Sequence, residues 1–475
     1  MKQEIEITLE DIENEELVQI PKRKSILTGK YLKKPKKSYR IAMITDFFYP
    51  SVGGVETHIF QLSQCLIKRG HKVIVITHQY GDRNGIRFMT NGLKVYYIPK
   101  LRAPDKSSFP TVWNNTPILR DIFLRERIMI VHGHQEISVL AHEGVLNARE
   151  LGIKAVFTEH SLFGFNEIHY ILVNKGLMYS LLDGVHLICV SNTTKENAVL
   201  RTALSPYLVS VIPNATDFSR FTPDPTQSDP NWITIVSITR LMYRKGVDLM
   251  VDLIPIVCRA VPNVRFIIGG DGPKRVFIEM MIEKYDLQDR VKLLGFVKHE
   301  NVPKVLVQGN IFLNTSLTES FCIAILEAVS CGLYVVATKV GGVPEVLPNY
   351  MISFAKPNPE ELAQKLIEAT EKCKDVDPYF FHKEVREMYD WHDIAERTEK
   401  VYDDMMLQPE RPLFEKLRYH SRGGTWGALL NKLIFMLRLI WLFILEVCFP
   451  REQIHYAVDF PTDKFLKMKK KKLNN

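Results

Sequence analysis

Cysteine is scarce and unpatterned in this chain: seven residues in 475, at positions 65, 189, 258, 322, 331, 373 and 448, with no C-x-x-C pair. That usage excludes a disulfide framework and a cysteine-built zinc cluster, and it fits reduced thiols facing the cytosol. The N-terminal stretch does not read as a signal peptide either. The opening MKQEIEITLEDIENEEL is acidic and lacks a continuous apolar core, so residues 1–38 read as a disordered tail. No G-x-G-x-x-G stands in the strand–helix turns, which weakens a nicotinamide or flavin reading. No D-x-D closes a strand, since DVD at 375–377 falls in a polar stretch.

Long apolar runs are absent but for WGALLNKLIFMLRLIWLFILEVCFP at 426–450, and that run contains Lys432, Arg438 and Glu446. Its clean part is about 17 residues, the lower limit for crossing a bilayer. A transmembrane helix is therefore expected over 426–449, with a buried or interfacial helix as the alternative. The net charge of +8 is concentrated in the run from Lys22 to Lys37 and in the tail KFLKMKKKK. Such clusters keep a chain soluble or meet anionic lipid headgroups. The basic residues are not interleaved with aromatics on a recognisable module, so nucleic acid is not the expected partner.

What is present is a globular chain, 46% apolar and 24% charged, of a length that suggests two or three domains. Apolar runs at 40–45, 71–77, 93–99, 128–133, 154–160 and 185–191 alternate with helix-length segments. After the linker-like VSVIPNATDFSRFTPDPTQSDP the pattern restarts at 233–238, 264–270, 291–296, 311–316 and 334–339. Short apolar strands separated by helices indicate parallel sheets covered on both faces. The fold class is α/β: two tandem Rossmann-like domains facing a cleft, at 39–215 and 216–410, then the helix at 426–449 and a basic tail at 450–475. Ligands of such sheets bind beyond the carboxyl ends of the strands.

Several residues at those ends carry chemistry. Glu319 and Glu327, eight apart in LTESFCIAILEA, span ~12 Å of helix rise if both are helical. That is too far for the paired carboxylates of a retaining glycosidase, and it suits one long hydroxyl-rich ligand. Arg240 and Lys245 in SITRLMYRKGVD form a basic loop able to converge on a diphosphate. Gly53 and Gly54 precede a helix, where backbone N–H groups can approach a phosphate. Each has a plainer reading alone: exposed helix glutamates, a solvated basic turn, an ordinary glycine turn.

Together, E-S-F-C-I-A-I-L-E, the CG turn, GGVPE, R-x-x-x-x-K and the N-terminal GGVE resemble the retaining glycosyltransferases of family 4, which have the GT-B fold. The resemblance covers nearly everything from 39 to 400. Finer stretches (TDFFYPSVGGVETHI, VHGHQ, TEHSLFGF, CVSNTTKEN, VIPNATD) resemble the branch that begins glycosylphosphatidylinositol anchors. Ser320 stands where many members have glycine, and Leu333-Tyr334 where many have proline after the CG turn. The resemblance implies that Glu327 holds a uridine ribose and Glu319, with Ser320 and Phe321 beside it, the transferred sugar. Arg240 and Lys245 would neutralise the diphosphate, and His134 in VHGHQ would face the donor sugar. His132 reads as a packed strand residue and Glu345 in GGVPE as a helix cap. It implies UDP-N-acetylglucosamine and phosphatidylinositol as substrates, no metal on the diphosphate and no other cofactor. It further implies the endoplasmic reticulum membrane, cytosolic catalytic domains and partner subunits of a larger complex. The competing readings are a soluble glycosyltransferase or epimerase, or a catalytically silent scaffold. One conflict stands: lysines beyond the apolar helix favour a cytosolic tail, whereas the branch's usual single span would make it lumenal.

Overall fold

All eleven apolar runs form strands, and most of their residues are apolar because side chains alternate between two largely covered faces. The computed structural model describes residues 37–51, 53–99, 115–162, 176–181, 184–202, 204–421 and 425–460. The expected tail (apart from 37–38), the basic run to Lys36 and the lysines of 464–472 lie outside the described residues. Everything described belongs to one unit, Lys34–Asn475.

The first sheet contains Arg40–Ile44 (β1), Lys72–His78 (β2), Gly85–Phe88 (β3), Lys94–Ile98 (β4), Ile130–His134 (β5), Lys154–Glu159 (β6), His186–Cys189 (β7) and Val209–Val211 (β8). Its order is β3-β4-β2-β1-β5-β6-β7-β8, parallel except for the β3–β4 pair. The second contains Ile233–Ile238 (β9), Val264–Gly269 (β10), Val291–Gly295 (β11), Ile311–Asn314 (β12), Tyr334–Thr338 (β13) and Ile352–Ala355 (β14). Its order is β11-β10-β9-β12-β13-β14, parallel throughout. Strand order reverses beside β1 and beside β9, and the crevices at those switch points place the loops after β1, β5, β9 and β12 together.

Three strands carry no readable sequence signal. All four residues of β3 are exposed, so it has no apolar run. The three-residue β8 falls inside the segment read as a linker, and β14 is four residues long.

Alternation along β1 splits the core. Ala42 and Ile44 join one apolar cluster with Leu140 and Val145, whereas Ile41 and Met43 join a larger one that continues into the second sheet. The helix Trp391–Leu407, second-half by sequence, supplies that continuity by packing on the helix Gly54–Lys68. Its Glu399 takes Arg69 Nε at 2.8 Å and lies 2.9 Å from His71 Nε2, and Tyr402 Oη is 2.7 Å from His132 Nδ1. The apolar run near the end is helical over Thr425–Cys448.

Candidate active site

The basic loop after β9 is folded onto the loop after β12. Gly246 has φ 66°, and a Cβ there would lie 1.8 Å from Thr315 O, so only glycine permits this approach. Thr315 Oγ1 donates to Lys245 O at 2.9 Å and Leu317 N to Arg244 O at 2.9 Å. The result is an ion pair between the Lys245 ammonium and Glu319 Oε1, which also accepts from Ser316 Oγ at 2.8 Å. Arg240, in the same basic loop, is exposed.

Cys322 has φ 72° and turns the chain into the helix Ile323–Ser330. Glu319 therefore stands in the loop and Glu327 in the helix's second turn, so no common helix axis separates them. His299 Nε2 lies 3.1 Å from Glu327 Oε1. Arg240, Lys245, Glu319 and Glu327 all line one cleft of about 820 Å³, closed on its other side by Gly53, Gly54 and Gln135 of the first half. Gly53 caps the helix Gly54–Lys68 in extended conformation (φ −173°), and a Cβ on Gly54 would touch Ile323 Cδ1 at 3.4 Å. Two helix starts, one from each half, thus meet at the cleft floor.

Ser320 and Phe321 are not in the cleft wall. Ser320 Oγ donates to His160 O across the halves at 2.5 Å, and Phe321 is buried edge-on against Tyr389 with centroids 5.6 Å apart. They hold the Glu319 loop from behind.

His134 departs from expectation as well. It is wholly buried and absent from the cleft lining, where its neighbour Gln135 stands at φ 74°. Its ring stacks on His132 at 4.2 Å, and its Nδ1 lies 3.3 Å from His160 Nε2. Burial, then the neighbouring imidazoles, hold His134 well below the ordinary histidine pKa. Burial likewise lowers His58 to about 4 and His132 to about 3, and puts His160 well below the usual range. Four neutral rings result. His58, His134 and His160 bring ring nitrogens within 4.8 Å of one another, and His58 Nδ1 has no hydrogen-bond partner among the described residues. Neutral imidazoles at that separation are of a kind that can ligate a metal ion. His132 is the packed strand residue, held by Tyr402 and by Thr158 Oγ1 at 2.6 Å.

Glu345 does cap a helix, but one belonging to the other half. Its carboxylate accepts from the backbone N of Asn192 (2.7 Å) and Thr193 (2.8 Å) and from both side chains, at 2.9 and 2.8 Å. The helix Asn192–Thr202 has no acid of its own in the first turn, which is the signal that could have predicted a borrowed one. His299, Ser316 and Gln135 gave no such signal.

Known proteins agree with this architecture. Residues 78–167 match the family described as PIGA (GPI anchor biosynthesis), and 219–377 match glycosyl transferases group 1. A phosphatidylinositol N-acetylglucosaminyltransferase subunit from Arabidopsis thaliana is 50% identical over 88% of this chain and 94% of that protein. The Homo sapiens protein of the same name is 49% identical over 89% of this chain and 88% of that protein. Among solved structures, Anabaena HepE in complex with UDP superposes with TM-score 0.61 at 17% identity, over 77% of this chain and 100% of that one. Sucrose-phosphate synthase from Thermosynechococcus elongatus gives 0.61 at 19% identity, over 78% and 99%. The two sheets and their cleft are a GT-B fold, and at this identity over this length the chain belongs to the PIGA family of glycosyltransferases in GPI-anchor biosynthesis.

Proposed function

We propose that this cleft moves N-acetylglucosamine from UDP-N-acetylglucosamine to an inositol hydroxyl of phosphatidylinositol, with retention at the anomeric carbon. The reaction belongs at the cytosolic face of the endoplasmic reticulum, within a complex of several subunits. The relatives' naming as subunits of a phosphatidylinositol N-acetylglucosaminyltransferase supports both the substrates and the complex. The observation that carries the reading is the convergence of Arg240, Lys245, Glu319 and Glu327 on one cleft. Two cations and two carboxylates suit a ligand that is anionic in the middle and rich in hydroxyls at both ends.

Glu327, steadied by His299, grips the ribose, since a carboxylate accepts from two vicinal hydroxyls at once. Glu319 holds hydroxyls of the transferred sugar. Its partner in this structure is Lys245; with donor bound, the ammonium turns to the diphosphate. Arg240 adds a second cation, and the N–H groups at Gly53 and Gly54 add neutral donors at a helix start. Charge that builds on the leaving UDP is stabilised by this set, which is in place before reaction.

Retention follows if the inositol hydroxyl approaches the face that UDP leaves. As the C1–O bond to UDP breaks, the hydroxyl oxygen bonds to C1 and a diphosphate oxygen takes its proton. No protein nucleophile is assigned. His134 enters as a positioning residue behind Gln135.

Membranes holding the full chain, given labelled UDP-N-acetylglucosamine and phosphatidylinositol, should yield a glycolipid cleaved by phosphatidylinositol-specific phospholipase. A label found only in free sugar, or on another lipid, rejects the acceptor. Activity should survive chelator; loss in EDTA restored by magnesium or manganese would assign the diphosphate to a metal.

A further inference from the structure

The four side chains assigned above to the donor all come from the second half, yet the first half lines the same cleft. Its described contribution includes Glu56, Thr57, Gln61 and Gln135, and none of its described lining residues is a lysine or arginine. One wall thus brings the cations. The facing wall brings amides, a hydroxyl and one carboxylate, a set that suits a neutral ring rich in hydroxyls.

Glu56 stands in the first turn of the helix Gly54–Lys68 and is only 6% exposed. Its carboxylate folds back over Gly53, where a Cβ would lie 2.5 Å from Glu56 Oε2. Any side chain at 53 would push it aside, so Gly53 makes room for the carboxylate. A glutamate that reaches back in this way ordinarily accepts from the N–H that opens its own helix. Here it accepts no hydrogen bond from any described residue. Its lone pairs are left for a ligand.

Gln135 leaves β5 with φ 74°, a conformation that favours glycine. The backbone is held there from both sides, since Gln135 N donates to Thr158 O at 3.0 Å and Ser138 N to Gln135 O at 2.9 Å. The side chain is 7% exposed, and its Nε2 donates to Ser161 Oγ at 2.7 Å. Its Oε1 is buried and has no partner among the described residues. An unpaired buried carbonyl costs stability. Strain and an open acceptor at one residue of a cleft wall mark a group kept for a ligand. The two segments are also tied together: Asp46, in the loop after β1, accepts from Ser138 Oγ at 2.7 Å and from Leu140 N at 3.0 Å.

We infer that Glu56 and Gln135 form the subsite for the acceptor ring. The carboxylate accepts from two vicinal hydroxyls and the amide oxygen from a third, so the ligand class is a cyclic polyol. The assignment rests on the acceptor proposed above and adds a selectivity to it. A ring that carried further phosphates would meet the Glu56 carboxylate with no cation on that wall to receive them, and it would be turned away.

The test titrates purified full chain, saturated with UDP, with glycerophosphoinositol, the headgroup without its acyl chains, followed by saturation-transfer NMR. Wild-type chain should bind it, and should bind glycerophosphoinositol bisphosphate, with two ring phosphates, far more weakly. Glu56→Gln keeps the shape and removes the charge. It should weaken the plain headgroup about 10- to 150-fold and narrow the gap between the two ligands. Gln135→Gly should weaken the plain headgroup about 2- to 12-fold, and glycine is at ease at this φ, so the loss is not one of folding. In transfer assays the same losses should fall on KM for phosphatidylinositol, with KM for UDP-N-acetylglucosamine unchanged. UDP affinity is the control for folding; if Glu56→Gln fails it, Gln135→Gly decides. Losses that fall on the donor's KM, a folded variant that binds the headgroup as wild type does, or equal wild-type affinity for the two headgroups would each overturn the subsite. Headgroup binding by a wild-type chain that makes no glycolipid would instead reject the reaction proposed above and leave the subsite standing.

Discussion

At the carboxyl end of the second sheet, charge stands in loops and opens onto the cleft: Arg240, Lys245 and Glu319 lie between strand and helix, with Glu327 just inside one. At the same end of the first sheet the polar groups are packed inside. His132 and His134 are β5 residues, and with His58 and His160 they form a dry stack capped by Trp391 and Tyr402. The two halves share a layout, yet one opens its charges onto the cleft and the other packs its rings into a wall. Charges in loops are hydrated until a ligand replaces the water. Imidazoles on a covered strand stay neutral, and their value is rigidity and hydrogen-bond direction.

The contrast predicts that the largest losses of transfer come from the second half. Lys245→Ala and Arg240→Ala should each lower kcat/KM about 10- to 150-fold, the size of one hydrogen bond to a charged group. Lys245→Ala also leaves Glu319 without its cation, so it should be the worse of the two. Steady-state kinetics on membranes checks this, and a wild-type rate for either variant would end the diphosphate assignment.

Next in size is the division between the carboxylates. Glu327→Ala should weaken UDP itself by about tenfold or more, while Glu319→Ala should leave UDP affinity intact and lower turnover of the whole nucleotide sugar. Titration calorimetry with UDP separates them. Equal losses would mean the two act on one group.

The first half should betray itself through pH. The folded histidines titrate below their ordinary 6.5, His58 at about 4 and His132 at about 3. On acidification the unfolded chain therefore takes protons first, and stability falls. It is full above about pH 6.5 and is lost progressively down to about pH 4. Thermal melts from pH 7.5 to 4.5 should show Tm falling over that window, and His58→Gln should flatten the slope. A Tm independent of pH there would mean that the rings are wet.

What could be read from the sequence follows the same divide. Strands buried on both faces betray themselves as apolar runs, and loop charges betray themselves by standing between a strand and a helix. The exposed β3 and the short β8 and β14 had no such pattern. Roles that depend on contacts across the halves were equally hidden. Ser320 and Phe321 adjoin Glu319 in sequence but turn away from the cleft, and His134 sits one residue from the position that does face it. Spacing gives proximity along the chain; which way a residue turns is decided by the partner half, such as His160 O for Ser320.

The smallest effect tests whether the halves act together. Glu345 lies on the second half and caps the helix Asn192–Thr202 of the first through two backbone and two side-chain hydrogen bonds. Its turn is tied to the Glu319 loop, because Gly342 N donates to Glu319 O at 3.0 Å. Closure of the cleft and placement of Glu319 thus share one short segment. The contact is partly open to water, so Glu345→Ala should cost no more than a typical cap, about 0.5–2 kcal/mol, or roughly 2- to 30-fold in transfer. UDP affinity should not change, since Glu327, Arg240 and Lys245 are untouched. Solution scattering should show a larger radius of gyration for the variant without ligand, with the difference narrowing when donor is added. A variant as closed as wild type, or one that loses UDP as Glu327→Ala does, would separate the cap from the cleft and leave Glu345 as a local brace.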